Sequence, residues 1–254
     1  MPMTSPFGQR LRHWRKRRGW SQLALATRAQ MSPRHLSFLE TGRSRPGEAM
    51  VIRLADELDV PLGDRNDLLR AAGFAPAYVE REWSSDALAP FRQVVEQMLR
   101  RHAPFPAFVL NARWHILDAN EPAKRLFPAL KTPADALALF FAPGGYREVI
   151  ENWEEIAWFS LKELRHDALR LEDESFWQRV AQVERWLEDA APPSAETLAS
   201  PVACPRLRIG DAMLSTFTTV ARFGTAQDVT LDSLRVEFTF PADEATETFF
   251  QQLA

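Results

Sequence analysis

The chain has 254 residues, 26% of them charged, a formal net charge of −3 and one cysteine, Cys204. Such a length accommodates two domains, and a lone cysteine excludes an intramolecular disulfide or a thiolate-rich metal site. No apolar run approaches the roughly 20 residues of a membrane helix, and the basic start of the chain has no signal-peptide core, so a cytoplasmic, membrane-free protein is expected.

The balanced total hides an asymmetry. Residues 1–75 carry 13 basic and 7 acidic side chains, net +6, whereas the remainder carries 18 basic and 27 acidic, net −9. Within residues 1–45, Glu40 alone opposes ten Lys or Arg. That head has a reason to meet a polyanion.

In chain order, a first helix is predicted from Phe7 to Arg18, with Phe7, Leu11 and Trp14 inward and Gly19 as its stop. Ser21 caps a second helix expected to bury Leu23, Leu25 and Ala26. Ser32-Pro33 opens a third with a capping hydroxyl and a proline at the first helical position. It buries Leu36 and Leu39, exposes Arg34, His35 and Ser37, and stops at Gly42. A fourth helix spans Gly47 to Leu58 and a fifth Leu62 to Ala72, so residues 1–75 form a helical bundle with its own core. The second and third helices, joined by a tight turn at Gln30-Met31, have the shape of a helix-turn-helix that fits a DNA major groove.

Residues 76–87 read as a linker and residues 88–254 as a second domain. A helix from Leu88 to Arg101 leads to a hairpin of Phe105–Asn111 and Trp114–Asn120, with Asn120 capping the short helix Glu121–Phe127. A long helix, Tyr146–Leu171, carries the apolar stripe Ile150, Trp153, Ala157, Leu161, Leu164, Ala168 and Leu171. Glu174–Leu187 is another helix, and Ala190–Pro205 a proline- and alanine-rich loop. Strands follow at Pro205–Ile209, Ala212–Phe223 and Leu231–Phe240, the first two joined by a Gly210-Asp211 turn. Phe249–Leu253 is a last helical turn.

For DNA, the candidate residues are Gln22, Ser32, Arg34, His35, Ser37, Phe38, Arg43 and Arg45. Arginine can bond guanine bidentately, and His and Ser reach base edges or phosphates; a merely solvated helix face is the alternative. Phe38 either touches a thymine methyl or packs in the bundle. Gln22 sits at a helix N-terminus, where phosphate is attracted, and Arg43 and Arg45 follow the third helix as backbone contacts. The run Arg15–Arg18 supplies field rather than contacts. For a small molecule, Phe108, Trp114, Trp153, Trp158, Phe217 and Phe238 are candidate cavity residues, with plain core as the competing role of each. The five histidines have no metal-ligand spacing, no glycine-rich phosphate loop exists, and no serine–lysine pair is suitably placed, so neither an enzyme nor a metal site nor a cofactor is expected.

Residues 7–60, with Gln22, Leu25-Ala26, Leu39-Glu40 and Gly42, resemble the phage-repressor helix-turn-helix class, the XRE or Cro-like type. Gln30 stands where that class usually has glycine. Further segments extend the likeness: Pro33–Arg43, Arg65–Pro76, Pro106-Ala107, Asn120–Ala123, Asn152-Trp153, Phe223–Asp228 and Phe240–Asp243 are similar to MmyB-like transcription regulators. The resemblance implies an all-α five-helix DNA-binding head followed by an α+β, PAS-like domain with an antiparallel sheet and inserted helices. It implies a small apolar, fatty-acid-like ligand for that domain. The expected protein is a homodimeric one-component regulator bound to an inverted-repeat operator in double-stranded DNA. The competing expectation keeps the DNA-binding head and makes the second domain a dimerisation or protein-docking module without ligand.

Overall fold

The computed structural model describes residues 5–171, 174–188, 190–194, 197 and 202–253. The loop expected over 190–205 lies partly outside the described residues. The chain divides into two units, Met1–Glu82 with Thr225–Asp232, and Trp83–Gly224 with Ser233–Ala254. The second unit thus begins before residue 88, and a stretch expected within it, 225–232, belongs to the first.

The first unit holds α1 (Pro6–Arg17), α2 (Gln22–Arg28), α3 (Pro33–Thr41), α4 (Glu48–Glu57) and α5 (Leu62–Ala72). Local chemistry sets these limits. Ser5, Ser21 and Ser32 each accept a hydrogen bond from a first-turn N–H of the helix they open. Gly42 and Gly73 end α3 and α5 in the left-handed conformation. Phe7, Leu11, Trp14, Leu25, Ala26, Leu36, Leu39, Val51, Leu54 and Leu58 form the core. Leu23 does not join it and is 64% exposed. Residues two apart on a helix point about 200° apart, so Leu23 and Leu25 cannot share a narrow buried face. Gly8 marks the tightest approach: a Cβ there would lie 2.4 Å from the carbonyl oxygen of Glu40.

The segment read as a linker is hydrogen-bonded to the first unit. Asn66, buried in α5, accepts from the N–H groups of Ala77 and Tyr78 at 3.0 Å each and donates to Tyr78 O at 2.7 Å. Residues 225–232 dock on the same segment. Val79 and Asp228 form a parallel bridge, and Val229 N–H donates to Val79 O at 2.9 Å. Asp228 pairs with Arg81 at 2.7 Å. Asp232 accepts from Leu62 N–H at 3.0 Å, capping α5, whose own N-cap, Pro61, has no side chain to do so.

The second unit is built on a fully antiparallel sheet. Its strands are β1 (Ala107–Leu110), β2 (His115–Ala119), β3 (Ala134–Asp135), β4 (Arg206–Ile209), β5 (Ala212–Ala221) and β6 (Arg235–Pro241), in the order β3-β2-β1-β6-β5-β4. Inserted between them are α6 (Ala89–Arg101), α7 (Glu121–Leu126), α8 (Ala136–Phe141), α9 (Trp153–Leu171) and α10 (Glu174–Trp186); α11 (Val229–Ser233) lies between β5 and β6, and α12 (Glu244–Leu253) ends the chain. This is the α+β arrangement that the resemblance implies. Gly210 turns β4 into β5 with φ of 57°, as a two-residue hairpin loop requires.

Strand alternation gives the sheet two different faces. Ala107, Val109 and Val236 pack with Val95 and Leu99 of α6, while Phe108, Leu110 and Ile116 pack toward Trp153, Ala157 and Leu161 of α9 and Phe176 and Val180 of α10. The helix expected from Tyr146 starts only at Trp153, after a 3-10 turn at Tyr146–Val149. The intervening residues are bonded to β4 instead: Ile150 bridges Leu207, Glu151 N–H donates to Arg206 O at 2.8 Å, and Asn152 Oδ1 accepts from Arg206 N–H at 2.9 Å. At the other end, α12 runs for ten residues rather than one turn, because Asp243 accepts from Thr246 N–H at 2.7 Å and caps it. That bond holds the Asp243 carboxyl below its ordinary pKa.

Candidate DNA interface and ligand cavity

In the first unit, α2 and α3 are the two arms of the helix-turn-helix. Gln30, between them, has φ of 51°, so the turn keeps its left-handed residue although the side chain is not glycine. Behind α3 lies a buried polar clamp. Arg15 of α1 donates from Nε and Nη2 to the two carboxylate oxygens of Glu40, at 2.5 and 3.0 Å, and from Nη1 to Trp20 O at 2.7 Å. Gln22 adds an N–H to Glu40 at 2.8 Å. The lone acid of residues 1–45 therefore fastens α1, α2 and α3 together. Arg18 likewise bonds Leu58 O at 2.7 Å, so two residues of the run read as free charge are structural.

The candidate DNA residues divide accordingly. Arg34, Arg43 and Arg45 are exposed, and His35, Ser37 and Phe38 are half-buried along α3. Phe38 stands outside the core, with the guanidinium carbons of Arg34 and Arg43 5.3 and 5.8 Å from its ring centroid. Arg43 N–H and Ser44 N–H both donate to Phe38 O, at 2.9 and 3.2 Å, which fixes the chain just past α3. Ser32 is the helix cap, its hydroxyl accepting from His35 N–H at 3.1 Å. Gln22 has one amide N–H committed to Glu40. Arg34, His35, Ser37, Phe38, Arg43 and Arg45 thus lie on or just beyond one helix, presenting donors and a cationic surface suited to a phosphate backbone and base edges.

In the second unit, a cavity of about 690 Å³ lies between α9 and one face of the sheet. Phe108, Trp114 and Trp153 line it, together with Leu110, Phe140 and Phe141. Phe217, Phe238 and Trp158 are not among its lining residues. Phe217 stacks on Phe240 at 5.5 Å, and Phe238 meets His102 at 4.9 Å; both point to the opposite face of the sheet. On β5 and β6 the cavity side is held by Thr216, Thr218, Val220, Arg235, Glu237 and Thr239. A two-residue period makes the choice of face all or nothing, and the apolar set of β6 turns toward α6. Trp158 packs against the core beside the cavity.

The polar part of this wall was missed by sequence reading. Asp167 of α9 accepts from Trp114 Nε1 at 2.8 Å and from Arg235 Nη1 at 3.3 Å. Trp114 itself has φ of 61°, a strained value for a bulky residue. It is held by the β1–β2 turn, where Asn111 Oδ1 accepts from the N–H groups of Arg113 and His115 at 3.0 Å each. Glu237 opens on the cavity, and burial raises its carboxyl pKa above the ordinary value. The available sequence signal was the alternation Arg235-x-Glu237-x-Thr239. Asn120 takes no part: it accepts from Ala107 N–H and Ala123 N–H, at 3.0 and 3.1 Å, as a buried cap and brace. Among the described residues, no group of His, Cys, Asp and Glu is placed to hold a metal ion, and no helix is long and apolar enough to cross a membrane.

Family models match both parts of the chain. The family model of the MmyB-like transcription regulator ligand binding domain matches residues 91–253, and that of a helix-turn-helix domain matches residues 6–69. No curated protein matches the chain. A solved structure, the clp gene regulator ClgR from Corynebacterium glutamicum, is similar at 24% identity over 39% of this chain and 93% of that one, with a TM-score of 0.24. With a DNA-binding head and a small-molecule domain in one polypeptide, the chain belongs to the MmyB-like transcription regulators.

Proposed function

We propose that the protein is a one-component switch, in which a small, mostly apolar molecule in the cavity shifts the affinity of the head for a specific operator. The observation that carries this reading is the cavity of about 690 Å³ within the unit that accompanies the helix-turn-helix; its volume is that of small-molecule sites. Arg34, His35 and Ser37 read base edges, and Arg43 and Arg45 hold phosphates. Two copies bind an inverted repeat with half-sites about one helical turn, roughly 34 Å, apart.

Ligand and DNA can be coupled only if the ligand binds two conformations unequally. The chain offers a route. It leaves the cavity wall at Arg222, contributes residues 225–232 to the first unit, and returns to the cavity wall at Arg235. Selection of bound DNA from random sequence, with footprinting, tests the operator; tight binding of a monomer to asymmetric single sites refutes it. Thermal shift of the full chain against acyl chains and small metabolites tests the cavity, and a flat response to all of them refutes the sensor. Asp228→Asn keeps the cap of α11 but weakens the pair with Arg81. It should leave ligand binding intact and diminish the change in DNA affinity that ligand causes; an undiminished change overturns the route.

A further inference from the structure

Helix α6 is apolar on two flanks. Val95 and Leu99 pack on Ala107, Val109 and Val236, on the face of the sheet away from the cavity. Phe91, Val94 and Met98 form a neighbouring stripe at i, i+3, i+7 spacing. Phe91 is 40% and Val94 48% exposed, and Met98 is half-buried. The stripe stands beside an open part of the same sheet face. Thr219 and Ala221 of β5 pair with Phe238 and Val236 of β6, so they share the face that α6 covers over β1 and β6. Thr219 is exposed and Ala221 half-buried. Phe91 meets Phe223, just past β5, edge to face at 5.9 Å. That contact joins the helix flank and the open strand into one apolar surface, of the kind that marks an interaction site.

We propose that a second copy of the chain docks on this surface, with α6 of each protomer antiparallel to α6 of its partner and laid against the open part of the partner's β5. This deepens the inverted-repeat reading and rests on it for the number of copies. Two arguments select a second copy over a different protein. The surface is its own complement. One molecule supplies, side by side, a helix flank that lacks a sheet and a strand that lacks a helix, and a two-fold axis between them satisfies both at once, as an isologous interface requires. The charges along the helix are self-complementary as well. Asp86 opens the 3-10 turn that leads into α6, and Arg100 and Arg101 close the helix. An antiparallel pair brings the acidic start of each helix to the basic end of the other, with unlike ends of the two helix dipoles together. A parallel pair would set like charges side by side. Matching Asp86 with the partner's Arg101 centres the axis near Val94. The stripe between these ends is uncharged, so closing it carries no cost for burying an ion.

Sedimentation equilibrium of the full chain tests the surface. The unaltered protein should be a dimer, and Val94→Glu should raise its dissociation constant at least about a hundredfold, the effect of a residue at the centre of an interface. Trp177→Glu, at an exposed apolar position on α10, should leave the dimer unchanged. Cross-linking asks the same question without a disrupting charge. In a chain with Cys204→Ser, Val94→Cys should give a disulfide-linked dimer on mild oxidation, and Trp177→Cys should not. A dimer that Val94→Glu leaves undiminished, or that Val94→Cys fails to cross-link, overturns this surface while leaving the two-copy reading of the operator standing. A monomeric unaltered chain overturns both.

Discussion

Replacing Glu40 by glutamine should destabilise the head far more than a surface ion pair would allow. The side chains of Arg15 and Glu40 are 9% and 2% exposed, so the change leaves a guanidinium buried without its counter-charge. Breaking such a pair from one side costs about 3–5 kcal/mol, against about 0–1 for an exposed pair. The new amide can still accept one N–H through its oxygen, and Arg15 keeps its bond to Trp20 O, which places the expected loss near the lower limit, about 3 kcal/mol. Amide hydrogen exchange in peptides covering α1–α3 should then accelerate by roughly a hundredfold, since each 1.4 kcal/mol is a factor of ten. Peptides from β1, β6 and α9 should be unaffected. The double variant Arg15→Met, Glu40→Met removes both charges and should recover most of the loss, because Gln22 is only half-buried and can turn its amide to solvent. An acceleration below about fivefold for Glu40→Gln, or strict additivity in the double variant, would refute the clamp.

Further outcomes are expected. Arg34→Ala should cost about 1–3 kcal/mol on cognate DNA and relax preference at one or two base pairs, whereas Arg45→Ala should weaken all sequences alike and reduce the salt slope by about one unit; isotherms at several salt concentrations separate them. Gln30→Gly should raise the stability of the head by about 0.5–1 kcal/mol, the relief of a left-handed non-glycine residue less the added freedom of the unfolded chain, read from denaturant midpoints. Burial lowers the pKa of His102 below its ordinary 6.5 despite its bond to Thr239 O, so the unfolded chain protonates first. The stability contributed there is present above about pH 6.5 and is lost as pH falls; histidine NMR titration gives the pKa, and His102→Gln should flatten that part of the stability profile.

The helices of the head were legible because their signals are local. Ser21, Ser32-Pro33, Gly42 and Gly73 mark ends within one turn of the feature they create, and the stripe Phe7, Leu11, Trp14 needs no partner to be recognised. What sequence could not show depends on distant residues. The partner of Glu40 was not legible because Arg15 is 25 positions away. The delayed start of α9 was set by Arg206, and the tied segment after α5 by Asn66 and Asp228. The cavity face of β6 could be read as a period but not as a direction. Val236, Phe238 and Phe240 announce a buried face, and α6 makes one as readily as α9 does. Large apolar side chains are therefore the wrong guide to the cavity on β6, where its wall is arginine, glutamate and threonine.

The excursion 225–232 bears on how strongly such a switch can act. Its bonds within the first unit include the Arg81–Asp228 pair, Val229 N–H to Val79 O, Thr230 Oγ1 to Arg81 O and Leu62 N–H to Asp232. Each hydrogen bond contributes about 0.5–1.5 kcal/mol net, and the Arg81 side chain is 39% exposed, which screens its pair. Together they amount to a few kcal/mol, of the same order as the 1–3 kcal/mol that typically couples two sites. If the switch proposed above acts through this segment, altering half of them should change DNA affinity by no more than roughly one order of magnitude for each head. The capping of α5 by Asp232 makes the connection consequential, because Leu68 and Leu69 of that helix lie in the same core as Leu36 and Leu39 of α3.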